Sequence, residues 1–211
     1  IMNKITIEYP DDCTEQDAIT YASGCFNQHQ LDYKRIAEGY KTRPFLHKQV
    51  IEQLQRDMNL THFQNGLDVG CGAGLSTKAL KLICDKVTGT DISEAMVEVC
   101  RELYQDVSYN FYTAGAEETK VPEKKYDVVL SDSVFQYFHS AEYGFAVLEK
   151  MYDKANKMLL VTEIHDIDLY EEHMQYRKSC VENYDEIYKG LEKTYYNKQD
   201  FIKFANEKQC R

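Results

Sequence analysis

The stretch that decides the fold is Leu67-Asp68-Val69-Gly70-Cys71-Gly72-Ala73-Gly74-Leu75. A short apolar run leads into three alternating glycines, and the helix-forming residues from 76 to 82 follow at once. Glycine has no Cβ atom, so it permits positive φ angles in a tight turn and lets a ligand approach the backbone. The pattern predicts a strand, a glycine loop and a helix whose N-terminus presents the positive end of its dipole to the ligand.

The spacing within the loop differs from that of a dinucleotide-binding fingerprint. The fingerprint G-x-G-x-x-G requires its third glycine where this chain has Leu75. The observed spacing is acidic-x-G-x-G-x-G, and the carboxylate of Asp68, two residues before Gly70, suits an amino group better than a pyrophosphate. A second acidic residue, Asp91, ends the next predicted strand, where it can accept hydrogen bonds from both hydroxyls of a ribose. The ligand predicted is therefore a zwitterion that carries a ribose.

Together, the loop from 68 to 74 and the stretch Thr90-Asp91-Ile92-Ser93-Glu94-Ala95-Met96 resemble the first two signatures of the class I S-adenosylmethionine (SAM)-dependent methyltransferases. The resemblance implies SAM as cofactor and S-adenosyl-L-homocysteine as its product. It implies an α/β fold with a doubly wound, mainly parallel Rossmann-like sheet, helices on both faces and an N-terminal helical cap. It assigns cofactor contacts to Asp68, Gly70, Cys71, Gly72, Gly74, Asp91, Ile92, Met96, Ala116, Glu117 and Ser131.

Some of these assignments have a plainer alternative. Cys71 also suits a small apolar filler, and a methionine at the helical spacing of Met96 is more often part of a core. The third signature departs from the family pattern because Gly115 stands where many members carry an aspartate.

In the resembling family, an N-terminal helix pair folds over the cofactor. Tyr33 and Arg43 stand where residues that reach the methionine moiety would lie, and Arg43 could form a bidentate pair with its carboxylate. A solvated arginine at the start of a helix is an equally good reading. We expect residues 1–60 to form the cap and residues 61–211 the SAM-binding domain, with residues 167–197 as lid helices over the substrate.

The rest of the chain alternates strands with helices. Strands are predicted near residues 86–91, 107–112, 126–131 and 157–163, and helices near 93–104 and from Lys198 onward. Such alternation favours a parallel sheet with its ligand at the carboxyl ends of the strands. The two strands that close the sheet in the family have no counterpart before Arg211, which favours a natural chain that continues beyond it.

Composition restricts the substrate and the setting. A chain of 211 residues with 43% hydrophobic content supports one sizeable core. A formal net charge of -10 makes nucleic acid an improbable partner and favours a small-molecule acceptor. Seven cysteines without a C-x-x-C pair indicate no metal site. No signal peptide or long apolar run is visible, which predicts a cytoplasmic protein without a membrane partner, either a monomer or a homodimer.

The chemistry predicted is methyl transfer to a metabolite, a sugar or a natural-product intermediate. The sulfonium already activates the methyl group, so the enzyme chiefly supplies positioning, and a base is needed only for a poor nucleophile. His165 is the first candidate base because histidine titrates near neutrality. His139 and Glu163 are further candidates, and catalysis without a base is equally compatible with the sequence.

Two rival readings remain open. The first is a nicotinamide-dependent oxidoreductase on a related sheet, which Asp68 and Leu75 disfavour. The second is a SAM-binding protein without catalysis that acts as a regulatory or assembly module. Oxygen, nitrogen and carbon acceptors are not distinguished by the sequence.

Overall fold

The computed structural model describes Arg56 and residues 62–117, 126–189 and 192–210. Tyr33, Arg43 and, apart from Arg56, the predicted cap of residues 1–60 lie outside the described residues. Five parallel strands form one sheet in the order β3-β2-β1-β4-β5. The strands are β1 (Phe63–Val69), β2 (Cys84–Asp91), β3 (Tyr109–Thr113), β4 (Tyr126–Asp132) and β5 (Ala155–Thr162). The predicted Rossmann-like sheet is confirmed.

Six helices lie in the described part of the chain. They are α1 (Leu75–Leu80), α2 (Glu94–Leu103), α3 (Ala141–Lys154), α4 (Tyr170–Cys180), α5 (Tyr184–Ile187) and α6 (Lys198–Glu207), with 3-10 turns at Phe135–Tyr137 and Ile167–Leu169. The predicted serine cap of α2 is confirmed, because the Ser93 hydroxyl accepts a hydrogen bond from the Met96 amide at 3.3 Å. The helix predicted from Lys198 is likewise present.

The central strands are buried on both faces, as a doubly wound sheet requires. Val129 of β4 packs in one apolar cluster with Val147 and Met151 of α3. Its neighbours Val128 and Leu130 belong to a second cluster, which includes the α1 residues Ala79 and Leu80. The two clusters pack helices against both faces of the sheet and so fix the positions of β1 and β4.

In its described residues, the predicted lid, residues 167–197, contains a 3-10 turn, an eleven-residue helix, a single helical turn and a run that ends in a β-bridge between Tyr196 and Asp166. We call residues 192–196 of this run the strap. The Thr194 amide donates to the Gln136 carbonyl at 3.0 Å, and the Tyr196 amide donates to the His165 carbonyl at 2.8 Å. The strap therefore connects the loops that follow β4 and β5, although its role as a lid is still a prediction.

Tyr196 anchors the strap in the core. Its hydroxyl donates to the Phe135 carbonyl at 2.7 Å, and its side chain is 1% exposed. A Cβ atom on Gly144 of α3 would lie 2.4 Å from that hydroxyl, so glycine is required for the close approach of helix and ring. Phe201 and Phe204 of α6 pack against the same cluster.

No helix in the described part of the chain has the length and apolarity needed to cross a membrane.

Candidate cofactor and acceptor site

The glycine loop lies between the carboxyl end of β1 and the start of α1. Gly70, Gly72 and Gly74 have φ angles of 79°, 50° and 88°, which lie in the left-handed region that glycine adopts readily. A Cβ atom on Gly70 would lie 2.4 Å from Val134, and one on Gly74 would lie 2.5 Å from the Tyr104 ring. At Gly72, however, a Cβ atom would meet nothing within 4 Å. The outer glycines thus permit tight packing, while Gly72 borders open space.

Asp91 lies beside this loop, at the end of β2. Its Oδ2 accepts a hydrogen bond from the Gly72 amide at 2.8 Å, and its Oδ1 accepts one from the Ser93 amide at 2.9 Å. Burial raises the pKa of Asp91, and these two hydrogen bonds offset the rise only in part. Each carboxylate oxygen keeps a lone pair for a further donor. The structure thus brings together the loop and the acid that the sequence analysis paired.

Asp68 has a different environment, because its side chain is fully buried. Its Oδ2 accepts hydrogen bonds from Ser76 at 2.8 Å and from Thr77 at 2.6 Å, both in the first turn of α1. Its Oδ1 is also buried and has no partner among the described residues. Burial raises the pKa of Asp68 to about 7, and the charges of Asp132 and Asp91 add to the rise. The carboxylate fastens α1 to β1, and direct contact with a ligand amino group stays a prediction.

The carboxyl end of β4 adds an acidic residue that the sequence analysis missed. Asp132 accepts a hydrogen bond from the Thr162 hydroxyl at the end of β5. Ser133 follows with a φ of 60°, and its amide donates to the Thr162 carbonyl at 3.2 Å. The argument that selected Asp91, an acid at a strand end, would also have found Asp132. β1 and β4 are neighbours in the sheet, and the strand order reverses between them. Doubly wound sheets bind ligands at such a point.

Ser131 and Cys71 lie in the interior of this region. The Ser131 hydroxyl donates to the Val69 carbonyl at 2.9 Å and joins β4 to β1. Cys71 packs with Val97 and Cys100, and Cys100 donates to the Gly72 carbonyl at 3.2 Å. Hydrogen bonding to Cys100, together with burial, raises the pKa of the Cys71 thiol. These contacts match the packing alternative for Cys71.

The residues predicted to flank the adenine occupy the adjacent edge of the sheet. Ile92, Met96, Ala116 and Glu117 are all half-buried. The Glu117 carboxylate accepts a hydrogen bond from the Tyr143 hydroxyl of α3. Ala116 packs against the apolar cluster of the same helix. Their contact with adenine remains a prediction.

The three candidate bases differ in their surroundings. His139 is exposed, and its ring centroid lies 4.6 Å from that of Tyr143. Glu163, the residue that follows β5, is also exposed. His165 is half-buried, and its ring centroid lies 4.8 Å from that of His173. Burial, with the nearby charges of His173, Arg177 and Lys193, lowers the pKa of His165 to about 4. At that pKa the imidazole is neutral at pH 7 and is a weak base.

The sequence analysis did not select the partners of His165. His173 and Arg177 lie on α4, and Lys193 and Tyr195 lie on the strap. The available signal was weak, since these residues are 8 to 30 positions from His165 in the sequence and only the fold brings them to it.

Comparison with known proteins agrees with this geometry. Residues 67–159 match the model of a family described as a methyltransferase domain. Together with the sheet order and the loop, the match agrees with the predicted class: residues 67–159 are similar to a methyltransferase domain.

Individual relatives are similar over part of their length. A malonyl-(acyl-carrier protein) O-methyltransferase from Priestia megaterium is 29% identical over 146 residues, which cover 65% of this chain and 49% of that protein. A ubiquinone biosynthesis O-methyltransferase from Bartonella quintana is 26% identical over 139 residues, which cover 64% of this chain and 53% of that protein. The chain spans about half the length of these curated relatives.

A solved structure shows the same fold over a larger share. The crystal structure of magnesium protoporphyrin IX methyltransferase from Synechocystis, with S-adenosylhomocysteine bound, aligns with a TM-score of 0.62 at 21% identity. The alignment covers 89% of this chain and 87% of that chain. The likeness confirms the architecture of the sheet and its helices.

Proposed function

We propose that this protein is a SAM-dependent methyltransferase that transfers a methyl group to a small-molecule acceptor. The observation that supports it most directly is the open space at Gly72 beside Asp91, at the carboxyl edge of a parallel sheet. The O-methyltransferase relatives support an acceptor of metabolite size. A cytoplasmic location agrees with this proposal.

The residues at this edge fit the cofactor. Gly72 leaves the backbone accessible, and its amide holds the Asp91 carboxylate at 2.8 Å, in position for the ribose hydroxyls. The half-buried Ile92 and Met96 follow Asp91, where they would cover the adenine. Asp68 orients the loop by holding the first turn of α1. When bound, SAM supplies a methyl group that its sulfonium has already activated.

The contribution of the chain is then to position the acceptor and to exclude water. Residues 133–138, after β4, and the strap line the edge where an acceptor would lie. His165 would be neutral and would hold a proton only weakly, given its pKa of about 4. We therefore propose that an acceptor which is already a good nucleophile is used without a strong base.

The test is calorimetric titration of the chain with SAM, S-adenosylhomocysteine and NAD. We expect SAM and its product to bind and NAD to fail. Asp91→Ala removes the ribose contact and should cost about 2 kcal/mol, or roughly thirtyfold in SAM affinity. Binding of NAD without SAM would establish the oxidoreductase reading instead.

Asp85→Ala is the matched control, because Asp85 lies on the same strand, near its amino end. Asp85 is exposed and contacts His62 at 2.8 Å, far from the glycine loop. Its replacement should leave SAM affinity unchanged. A loss of affinity in both variants would contradict the proposed ribose contact. A separate measurement, turnover of a methyl acceptor, would exclude the alternative of a SAM-binding module without catalysis.

A further inference from the structure

Basic residues gather on one side of the strap in a chain whose formal net charge is -10. Thr194 and Tyr196 hydrogen-bond to the backbone after β4, through the Phe138 and Phe135 carbonyls. Lys193 and Tyr195 make other contacts: the Lys193 ammonium lies over the Tyr137 ring, and the Tyr195 hydroxyl contacts His173. Both of them contact residues at the outer edge of the site.

Tyr195 is held by a chain of hydrogen bonds that begins at Arg177. Arg177 Nε donates to His173 Nε2 at 2.8 Å, and His173 Nδ1 lies 2.8 Å from the Tyr195 hydroxyl. Because a guanidinium only donates, His173 Nε2 must be the acceptor, and the proton of a neutral ring is then on Nδ1. His173 thus donates to the Tyr195 oxygen. The hydroxyl proton of Tyr195 is left to donate to a further acceptor.

Lys193 adds a second basic side chain to the group formed by Arg177, His173 and Tyr195. Its Nζ lies 3.2 Å from the centroid of the Tyr137 ring, in the segment that follows β4. A cation over an aromatic face is stabilised by the ring, but its charge is not neutralised. Burial and the charge of Arg177 lower the pKa of Lys193 to about 7. No ion pair found among the described residues includes Lys193 or Arg177.

The cluster also contains an unsatisfied nitrogen. His165 Nδ1 is buried and has no hydrogen-bond partner within the described ranges. The His165 ring centroid is 5.0 Å from that of Tyr195, so this nitrogen belongs to the same group of side chains. Two basic side chains and a directed hydroxyl suit an anion, and His165 Nδ1 adds a donor in the tautomer that carries the proton there.

We infer that Lys193, Arg177 and Tyr195 form a subsite for an anionic group of the methyl acceptor, a carboxylate or a phosphate. Lys193 and the Tyr195 hydroxyl contact the anion, and Arg177 acts through His173 as a positioning residue. The inference rests on the proposed function, since it assigns a substrate class to the same site. An acceptor that enters as a carboxylate needs no base, which agrees with the weak basicity of His165.

The test uses ligand-detected NMR on the full chain saturated with S-adenosylhomocysteine. The probes are benzoate, phenyl phosphate and the neutral benzamide, because the rings of Tyr137, Tyr170 and Tyr195 suit an aromatic group. We expect at least one anion to bind and benzamide to fail. The comparison of benzoate with phenyl phosphate identifies which anion the subsite prefers. Equal binding of benzamide and of both anions would overturn the inference, as would no binding of any probe.

Variants of Lys193 make the test specific. Lys193→Gln should lower the affinity for the anion about tenfold, whereas Lys193→Arg should retain that affinity. Lys178→Gln is the matched control, because Lys178 lies on α4 but is paired with Asp185 at 2.9 Å. An unchanged anion affinity in Lys193→Gln would refute the subsite.

Failure of this inference is distinguishable from failure of the proposed function. The affinity for S-adenosylhomocysteine is measured first for every variant, and it should agree with that of the wild-type chain within about twofold. Loss of that affinity in Lys193→Gln would place Lys193 in cofactor binding and overturn the assignment to the acceptor. If the wild-type chain bound no S-adenosylhomocysteine, the proposed function would fail before the anion was added, and the inference would fail with it.

Discussion

Asp127 and Asp68 lie at opposite ends of the parallel sheet, and their carboxylates differ in hydrogen bonding. At the amino end of β4, Asp127 accepts hydrogen bonds from the Gln64 amide at 3.0 Å, from Lys157 at 3.1 Å and from Asn156 at 3.3 Å. At the carboxyl end of β1, Asp68 has one oxygen with no partner among the described residues. Both oxygens of Asp127 are therefore satisfied, whereas Asp68 keeps an unsatisfied oxygen at the end of the sheet where a ligand would bind.

The pKa values of the two groups follow the same division. Burial acts to raise the pKa of Asp127, but its hydrogen bonds outweigh burial and hold the pKa below its ordinary value. For Asp68, burial outweighs the two hydroxyl contacts and raises the pKa to about 7. A carboxyl group at a strand end whose pKa is raised by burial, as it is for Asp68 and Asp91, is typical of a functional site.

The largest effect should come from Gly74→Ala, which tests the tight packing at the carboxyl edge. The added methyl group would lie 2.5 Å from the Tyr104 ring, at a φ of 88°. Strain and overpacking together should lower the free energy of unfolding by about 3 kcal/mol. Urea denaturation followed by circular dichroism measures this change.

Gly72→Ala is the control within the same loop. Its methyl group would meet no atom within 4 Å, so only the left-handed strain of about 1 kcal/mol applies. The methyl group would, however, occupy the space proposed for the cofactor, and calorimetry should find weaker S-adenosylhomocysteine binding. Equal destabilisation by both substitutions would contradict the distinction between packed and open glycines.

Asp127→Asn should have the next largest effect, because it tests the satisfied end of the sheet. Both oxygens of Asp127 accept hydrogen bonds, so the amide nitrogen of asparagine would face a donor in either orientation. We expect the free energy of unfolding to fall by about 2 kcal/mol. Cofactor affinity should not change, because Asp127 lies at the opposite end of the sheet. A loss of binding at unchanged stability would contradict a structural role.

At acid pH Asp68→Asn should have the smallest effect, about 1 kcal/mol, and its sign should depend on pH. Because the folded pKa of Asp68 is above its ordinary value of 3.8, the folded state binds more protons between that value and about 7. The contribution of Asp68 to stability is therefore largest at acid pH and is lost as pH rises through this range. Asparagine does not ionise, so the variant should become more stable relative to wild type as pH increases.

The measurement is the difference in melting temperature between Asp68→Asn and wild type across that pH range. Asp127 should behave oppositely in wild type, because its lowered pKa contributes stability that is present above 3.8 and lost on acidification. A difference curve for Asp68→Asn that is flat with pH would contradict the raised pKa of Asp68.

The sequence alone predicted the glycine loop and the acid that lies beside it. Gly70, Gly72, Gly74 and Asp91 were selected from spacing, because a backbone turn and a strand-end acid depend on residues close together in the chain. The strands were also predicted in the right order, although β3 begins at Tyr109 and β5 at Ala155, each two residues from the predicted start. Strand ends depend on pairing with neighbours, and a single sequence does not show that pairing.

The surroundings of the candidate bases were decided by the tertiary structure. The sequence pointed to His165 as a base, but the fold packs it beside His173, Arg177 and Lys193, and burial with their charge lowers its pKa to about 4. The fold likewise packs His139 against Tyr143 and adds Asp132 beside β1. Electrostatic environment and burial sum contributions from segments distant in sequence, so no local pattern encodes them. Local backbone geometry was therefore determined by the sequence pattern, while the charge state of the site was determined only where the strap and α4 meet the ends of the strands.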